Sequence, residues 1–330
     1  MSTRSGGTKS AVRNRSAAKR GTSVSAKWNL RRACGLQILE APEFRRFNWL
    51  VHGFSTRPGG SSELKALRDE RDTCEKVLNL GFTEWDPRAR VLENREKFFR
   101  AIGASKMRIV ALRQIHSDIV NVVDSAKEAL GESDSREAAP QGDALITREP
   151  GVLLVVQTAD CIPILLADPK RRAIAAIHSG WRGTVRRIAA KMLGRMQLEF
   201  GTKPKDVVAA LGPGIGQSCY EVGTEVAAEF QAQFRDARDW FEGPFDRLAD
   251  SDNDPNWLPW LTMKPPGHQP PPPRVQLDLI AANRAILEAA GIPARNISSS
   301  GLCTACRTDL FFSFRKERTT GRMMAAIGIR

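Results

Sequence analysis

Cys161 and His178 sit at the two ends of a segment whose ends ought to meet. Between them, IPILLA and AIAAI are apolar runs of strand length, and Asp168-Pro169-Lys170-Arg171 carries turn chemistry. If Asp168 and Arg171 close a hairpin, the same register sets Cys161 opposite His178. Opposed Cβ atoms lie about 4.5–5.5 Å apart, near enough for a thiol and an imidazole to share one metal ion or one proton. A slip of one residue would turn the two side chains to opposite faces, so the expectation is sharp.

His116 lies 45 residues before Cys161. Two imidazoles and a thiolate make an N2S donor set that suits Zn²⁺ and leaves a fourth position open, as catalytic zinc sites do. No local spacing rule ties His116 to the other two, and the competing reading is a small buried Cys161 with core histidines. Of the four histidines, His52 reads as structural and His268 falls in a Pro-rich stretch. Asp160, just before the cysteine, can orient a metal ligand or cap a turn. Trp181 is either a core anchor or a lid over a base. Cys303-Thr-Ala-Cys306 is a lone CxxC, read as packing rather than redox chemistry. GPGIG is not a dinucleotide fingerprint, since the next helix starts too late to receive a pyrophosphate.

The elements that must position these residues alternate between strand and helix. Cys34–Phe54 is strand-like and runs into a Gly-rich loop, STRPGGSS. Residues 86–102 have helical periodicity, with Pro87 in the first turn. MRIVALRQIHSDIVNVVD reads as two strands around His116. After the hairpin, Gly183–Phe200 is an amphipathic helix, DVVAALGP a strand, and GIGQSCYEVG a loop before the helix TEVAAEFQAQF. QLDLIAANRAILEAAG is a further helix stopped by Gly291, and RMMAAIGI closes the chain as part of a hairpin. This pattern predicts an α/β fold with a mixed sheet rather than a strict βαβ series.

The totals bound the rest. A chain of 330 residues, 42% apolar and 26% charged, has the composition of a soluble globular protein, without any run of about 18 apolar residues. The net charge of +13 is largely a tail: residues 1–32 hold nine Lys/Arg and no Asp or Glu. That segment is expected to be a disordered basic tail, with a transit peptide or a nucleic-acid arm as lesser readings. Neither a membrane nor nucleic acid is the expected partner, and no residue pattern points to an oligomeric state. Residues 242–273 turn acidic and then Pro-rich, a surface insertion. Six scattered cysteines fit a reducing, cytoplasmic location.

Taken in order, FSTRPGG, LNLG, QIHSD, GDALIT, TADCIPILLAD, AIHSGWRG, LGPGIGQSCYEVG and FFSFR…TGRMMAAIG resemble the successive motifs of the YfiH family. Its members are also called laccase-domain, polyphenol oxidase or multifunctional purine nucleoside phosphorylase proteins. The resemblance implies a single catalytic domain over residues 33–330, folded as a four-layer α-β-β-α sandwich with mixed sheets. It implies one zinc held by His116, Cys161 and His178. It also implies phosphorolysis of adenosine, inosine and 5′-methylthioadenosine, with adenosine deamination as a second activity and purine nucleosides and phosphate as partners.

The residues are compatible with that chemistry. Phosphorolysis needs phosphate held while positive charge grows on the ribose, a task for the planar guanidinium. The candidates are Arg57 in the Gly-rich loop and Arg95 in LENREKF, with Asn79 of LNLG as a hydrogen-bonding partner of ribose or phosphate. A solvated charge or a turn-forming Asn is the competing reading for each. Arg182, Arg315 and Arg322 are weaker candidates for the same task, read as structural first. Multicopper oxidation needs about ten histidines for its copper centres, and four are available. A single Cu²⁺ in the N2S site, giving a one-copper polyphenol oxidase, is still compatible in vitro. Two further alternatives are a Cys161–His178 hydrolase acting on an amide such as a peptidoglycan dipeptide bond, and a non-enzymatic binding protein.

Overall fold

The central hairpin forms between β10 (Ile162–Asp168) and β11 (Ala173–Ser179), and every residue of both strands is buried. Ile162, Ile164, Leu166, Ala175 and Ile177 face one core, while Leu165, Ala167, Ile174 and Ala176 face another. Burial on both faces explains why these strands read as unbroken apolar runs. Two cores on either side of one sheet already require further layers above and below it. The computed structural model of the chain describes residues 28–65, 74–124, 139–243 and 274–330.

Those layers are two six-stranded sheets packed face to face. The first runs in the order β1 (Asn29–Ala33), β2 (Leu36–Glu40), β3 (Leu50–Ser55), β17 (Met323–Ile329), β9 (Val152–Thr158) and β6 (Arg108–Val110). The second runs β16 (Ile297–Ser299), β12 (Val208–Leu211), β10, β11, β8 (Ala144–Thr147) and β7 (Val120–Val122). Pairs β6–β9, β7–β8 and β12–β16 are parallel and the others antiparallel, so both sheets are mixed. Phe54, Leu154, Val156 and Ile327 of the first sheet meet Leu165, Ala176 and Val208 of the second in the middle layer. Outside the first sheet lies α1 (Arg88–Ala101), through Phe98 and Phe99. Outside the second lie α3 (Ile188–Phe200), α4 (Thr224–Gln233) and α5 (Leu279–Ala289). The result is the α-β-β-α sandwich anticipated. Smaller pieces are β4 (Pro58–Lys65) with β5 (Cys74–Val77), β13 (Glu221–Gly223) and β14 (Phe241–Glu242) on β15 (Arg274–Leu277), and the short helices α2 (Trp181–Val185) and α6 (Phe314–Glu317). Among the described residues no helix is long and apolar enough to cross a membrane.

Several local expectations are corrected. The hairpin register pairs Asp168 with Ala173 and Pro163 with His178, not Cys161 with His178. Asp168 Oδ1 accepts the N–H groups of Lys170 (2.9 Å) and Arg171 (3.2 Å), and Arg172 takes φ 49°. This side-chain-closed, left-handed turn uses four residues where the simplest reading used two. The offset is even, so Cys161 and His178 stay on one face but become diagonal neighbours.

The C-terminal segment is not a hairpin strand: β17 lies between β3 and β9 near the middle of the first sheet. The Gly-rich segment after β3 is strand β4 rather than a loop. A Cβ on Gly60 would sit 2.1 Å from the Val77 carbonyl, so glycine is what permits the close approach of β4 and β5. The expected helix over 183–200 breaks between α2 and α3, where Arg187 adopts φ 59°. The described chain begins inside the stretch assigned to the tail. Trp28 packs on Phe54, and β1 pairs with β2, with Arg31 Nε 2.6 Å from Glu40 Oε1. Residues 1–27 of the tail and 244–273 of the Pro-rich insertion lie outside the described residues.

Candidate metal centre and cavity

The QIHSD segment crosses from β6 in the first sheet to β7 in the second, which carries His116 across to the open end of the hairpin. There the ligand atoms of His116, Cys161 and His178 lie within 4.8 Å of one another. Cys161 Sγ is 3.9 Å from His116 Nε2, and the two imidazole centroids are 4.9 Å apart. The diagonal register has a consequence at Gly180. Continuing the hairpin pairing by one residue sets it across from Cys161, and a Cβ there would lie 2.9 Å from Cys161 Sγ and 3.2 Å from His116 Cδ2. The missing side chain leaves room for two of the three donor residues, Cys161 and His116.

Asp143, a residue the sequence reading passed over, holds the cluster in place. Its fully buried carboxylate accepts the N–H groups of His116 (3.1 Å) and Ser117 (2.6 Å), the Ser117 hydroxyl (2.7 Å) and His178 Nδ1 (2.9 Å). One carboxylate thus fixes the backbone of one histidine and the ring of the other. The first of these contacts supports His116 in a left-handed conformation, φ 57°. The second commits Nδ1 of His178 and leaves Nε2 to the cluster, the usual arrangement behind a metal-ligating imidazole.

Charge follows geometry. Burial raises the Asp143 pKa, but hydrogen bonds from His178 and Ser117 outweigh it and bring the group down to about 2. Burial likewise pushes the Cys161 thiol up, yet the His178 charge and hydrogen bonds to both imidazoles pull it to about 6. Burial lowers His178, while the Cys161 thiolate and Asp143 raise it to about 9. The two shifts run in opposite directions, the thiol down and the imidazole up, and both favour a thiolate beside an imidazolium. The donor set fits a zinc-class cation: two nitrogens and one sulfur, a carboxylate behind one histidine, and an open side.

That open side is a cavity of about 760 Å³. Besides the three donors, its wall carries five arginines, and all but Arg113 lie over an aromatic ring of the same wall. The pairs are Arg95 on Phe82 (4.2 Å), Arg182 on Trp181 (4.5 Å), Arg315 on Tyr220 (5.1 Å) and Arg322 on Phe314 (5.8 Å). Burial and the neighbouring Cys161 thiolate push the Tyr220 hydroxyl above its ordinary range, so it stays protonated. The Gln114 side chain locks the QIHSD strap to β9, its Nε2–H donating to the Gln157 carbonyl at 2.8 Å and its Oε1 accepting the Gln157 N–H at 2.7 Å.

Of the sequence candidates, Arg95 lines the cavity, and its Nε also donates to the Leu80 carbonyl at 2.9 Å. Arg57 and Asn79 do not line it. Arg57 is buried between Glu317 (2.6 Å) and Glu75 (2.9 Å) over the Phe312 ring. Asn79, with no exposed surface, donates to Asp86 (2.7 Å) and accepts from the Arg322 N–H (2.8 Å). Both hold the frame together. Conversely Arg182, Arg315 and Arg322, read as structural, face the cavity, and so does Trp181. Asp160 orients no metal ligand: its carboxylate takes the Thr304 hydroxyl and the Arg315 N–H, each at 2.6 Å. His52, as expected, is a framework residue whose Nε2 accepts the Ala41 N–H at 3.1 Å. Tyr220, Phe82 and Phe314 carried no signal in the sequence beyond their aromatic character.

Fold and centre together define a class: two-sheet α/β sandwiches with a histidine–cysteine–histidine cluster opening into a cavity lined by arginines and aromatic rings. Residues 51–330 match the model of the family described as multi-copper polyphenol oxidoreductase laccase, and the chain belongs to that family. It is 36% identical over 298 residues to a purine nucleoside phosphorylase of Deinococcus radiodurans, covering 90% of this chain and 94% of the relative. It is 37% identical to adenosine deaminase RL5 of an unknown prokaryote, covering 84% of this chain and 93% of the relative. Among solved structures, Bacillus licheniformis hypothetical protein YfiH superposes with a TM-score of 0.73 at 28% identity, over 92% of this chain and 99% of that one. The donor set does not follow the copper of the family's description. Two described histidines stand at the centre, while multicopper sites are built on many more.

Proposed function

We propose that this protein is a zinc-dependent purine nucleoside phosphorylase. It cleaves inosine, adenosine and 5′-methylthioadenosine with phosphate, giving the free base and the ribose 1-phosphate or its methylthio counterpart, and it deaminates adenosine in the same cavity. The observation that carries this reading is one cavity of about 760 Å³ with a His116–Cys161–His178 centre and five arginines in its lining. The names of the phosphorylase and deaminase relatives support it.

His116, Cys161 and His178 would hold the ion, and when bound it supplies Lewis-acid activation at its open position. The chain's own residues do the rest. The guanidinium groups of Arg182 and Arg315 pair with phosphate oxygens and set the anion against C1′, where a C–O bond forms as the C1′–N9 bond breaks. The same positive field favours the departing base, which takes the N9 electron pair. Phe314, Trp181 and Tyr220 offer faces to the flat purine and exclude water from the reacting carbon. Asp143 keeps a proton on His178 Nδ1 and so fixes the tautomer. The free cysteines of the described chain agree with a reducing, cytoplasmic setting.

In the test, zinc-loaded protein is expected to release hypoxanthine from inosine only when phosphate is present. No release with zinc bound and phosphate saturating removes the phosphorylase reading. The thiolate–imidazolium pair also favours a second reading, a Cys161 nucleophile with His178 as its base. Stoichiometric zinc that is lost in Cys161→Ala supports the first. Metal-free protein as isolated, with a readily alkylated Cys161, supports the second.

A further inference from the structure

A second cluster of soft donors lies beside the cavity and takes no part in the chemistry above. Cys219 ends the short helical turn Gln217–Cys219, and Cys303 and Cys306 bracket the loop after β16. Their sulfurs lie within 4.8 Å of one another although 87 residues separate Cys219 from Cys306. The group contains sulfur alone, with no imidazole or carboxylate in it. We propose that Cys219, Cys303 and Cys306 form a separate three-thiolate site for a soft d¹⁰ cation of the Zn²⁺ or Cu⁺ class.

The spacing supports a shared ion over a disulfide. Sulfurs about 2.3 Å from a common tetrahedral ion stand about 3.8 Å apart, and a disulfide requires about 2.05 Å. The Cys219 and Cys306 sulfurs are 3.3 Å apart, nearer to the first value. Cys303 is held ready by the Gly216 N–H, which donates to its sulfur at 3.1 Å. Such a hydrogen bond stabilises a thiolate, the form that binds metal. Cys306 is exposed, so an ion has a path in and an open side for a further ligand. An all-sulfur set selects Zn²⁺ or Cu⁺ over Mg²⁺, Ca²⁺ or Mn²⁺.

The position of the cluster gives it a purpose. Cys219 precedes Tyr220 of the cavity wall, and Thr304, next to Cys303, donates to Asp160 at 2.6 Å, beside Cys161. The Thr304 N–H also donates to the Gly214 carbonyl at 3.0 Å. An ion bound by the three sulfurs would clamp the 214–220 loop to the 301–306 loop and so steady the cavity wall.

The test uses the full chain carrying Cys161→Ala, which disables the first centre, and reads bound metal rather than activity. One portion is loaded with Zn²⁺ and another with Cu⁺ under anaerobic reduction, and each is challenged with a chelator. Whichever ion is retained at a single equivalent identifies the occupant, and retention is expected to fall at least tenfold on adding Cys306→Ser or, separately, Cys219→Ser. Co²⁺ at the same site should give intense sulfur-to-metal charge-transfer absorption that weakens in both variants. Retention of neither ion, cobalt spectra without sulfur bands, or isolation of Cys219 and Cys306 as a disulfide would each overturn the proposal. Because inosine cleavage is not the readout, failure here leaves the phosphorylase reading to its own test.

Discussion

At the scale of single residues the centre depends on one carboxylate and one absent side chain. Asp143 accepts hydrogen bonds from both histidine-bearing elements, so Asp143→Asn removes the charge that holds the His178 proton while keeping the size. Metal affinity is expected to fall on the order of 10–100-fold, measured by competition with a chelator. Zinc retention equal to wild type would mean that the carboxylate serves the loop and not the ligand. Gly180→Ala tests the space instead. The backbone there has φ −82°, which any residue adopts, so the substitution carries no backbone strain. Its methyl group meets the Cys161 sulfur and the His116 ring. Overpacking of this kind costs about 1–3 kcal/mol, and it should appear as weakened zinc binding with an unchanged circular dichroism spectrum.

At the scale of elements, the hairpin delivers two of the three candidate donors and the β6–β7 crossing delivers the third. β3 adds a titration of its own. Burial holds His52 down to about 4, against about 6.5 in the unfolded chain. Between those values the unfolded state binds the extra proton, so stability is full above pH 6.5 and declines as pH falls toward 4. The loss approaches about 3 kcal/mol at the acid end. His52→Gln is expected to flatten that part of a denaturation series run against pH. A series as steep as wild type would place the titration elsewhere. The hairpin register teaches a related point. The two strands were legible in IPILLAD and AIAAIHS, because strands buried on both faces read as unbroken apolar runs. The turn length was not, because it rests on the Asp168 carboxylate and on Arg172 tolerating a positive φ.

At the scale of the whole molecule, the cavity is assembled from segments far apart in the chain, and its arginines divide into two kinds. Arg57 is enclosed by Glu75 and Glu317 and belongs to the frame. Glu317→Gln leaves its guanidinium partly uncompensated inside the protein, and is expected to lower the melting temperature while leaving the phosphate KM of the surviving fold unaltered. Arg182→Ala should do the reverse, raising the phosphate KM roughly ten- to a hundredfold with little change in melting temperature. If Arg182→Ala left KM untouched, the phosphate would have to be held by other groups in the cavity.

What the sequence determined by itself was the α/β class with mixed sheets and the residue types that could bind a metal, while the full donor set and the four layers were what the resemblance to the YfiH family implied. His116, Cys161 and His178 have the donor types for one metal, and the motifs QIHSD, TADC and AIHSGWRG singled them out from four histidines and six cysteines. The apolar runs of β10, β11 and β17 are long enough to demand burial on both faces. Only the tertiary structure decided which arginines reach the cavity, that Asp143 stands behind the histidines, and that Cys219 joins Cys303 and Cys306. The reason is physical. A guanidinium, a carboxylate or a thiol carries the same chemistry wherever it falls in a chain, and its role is set by the neighbours that folding brings within a few ångströms.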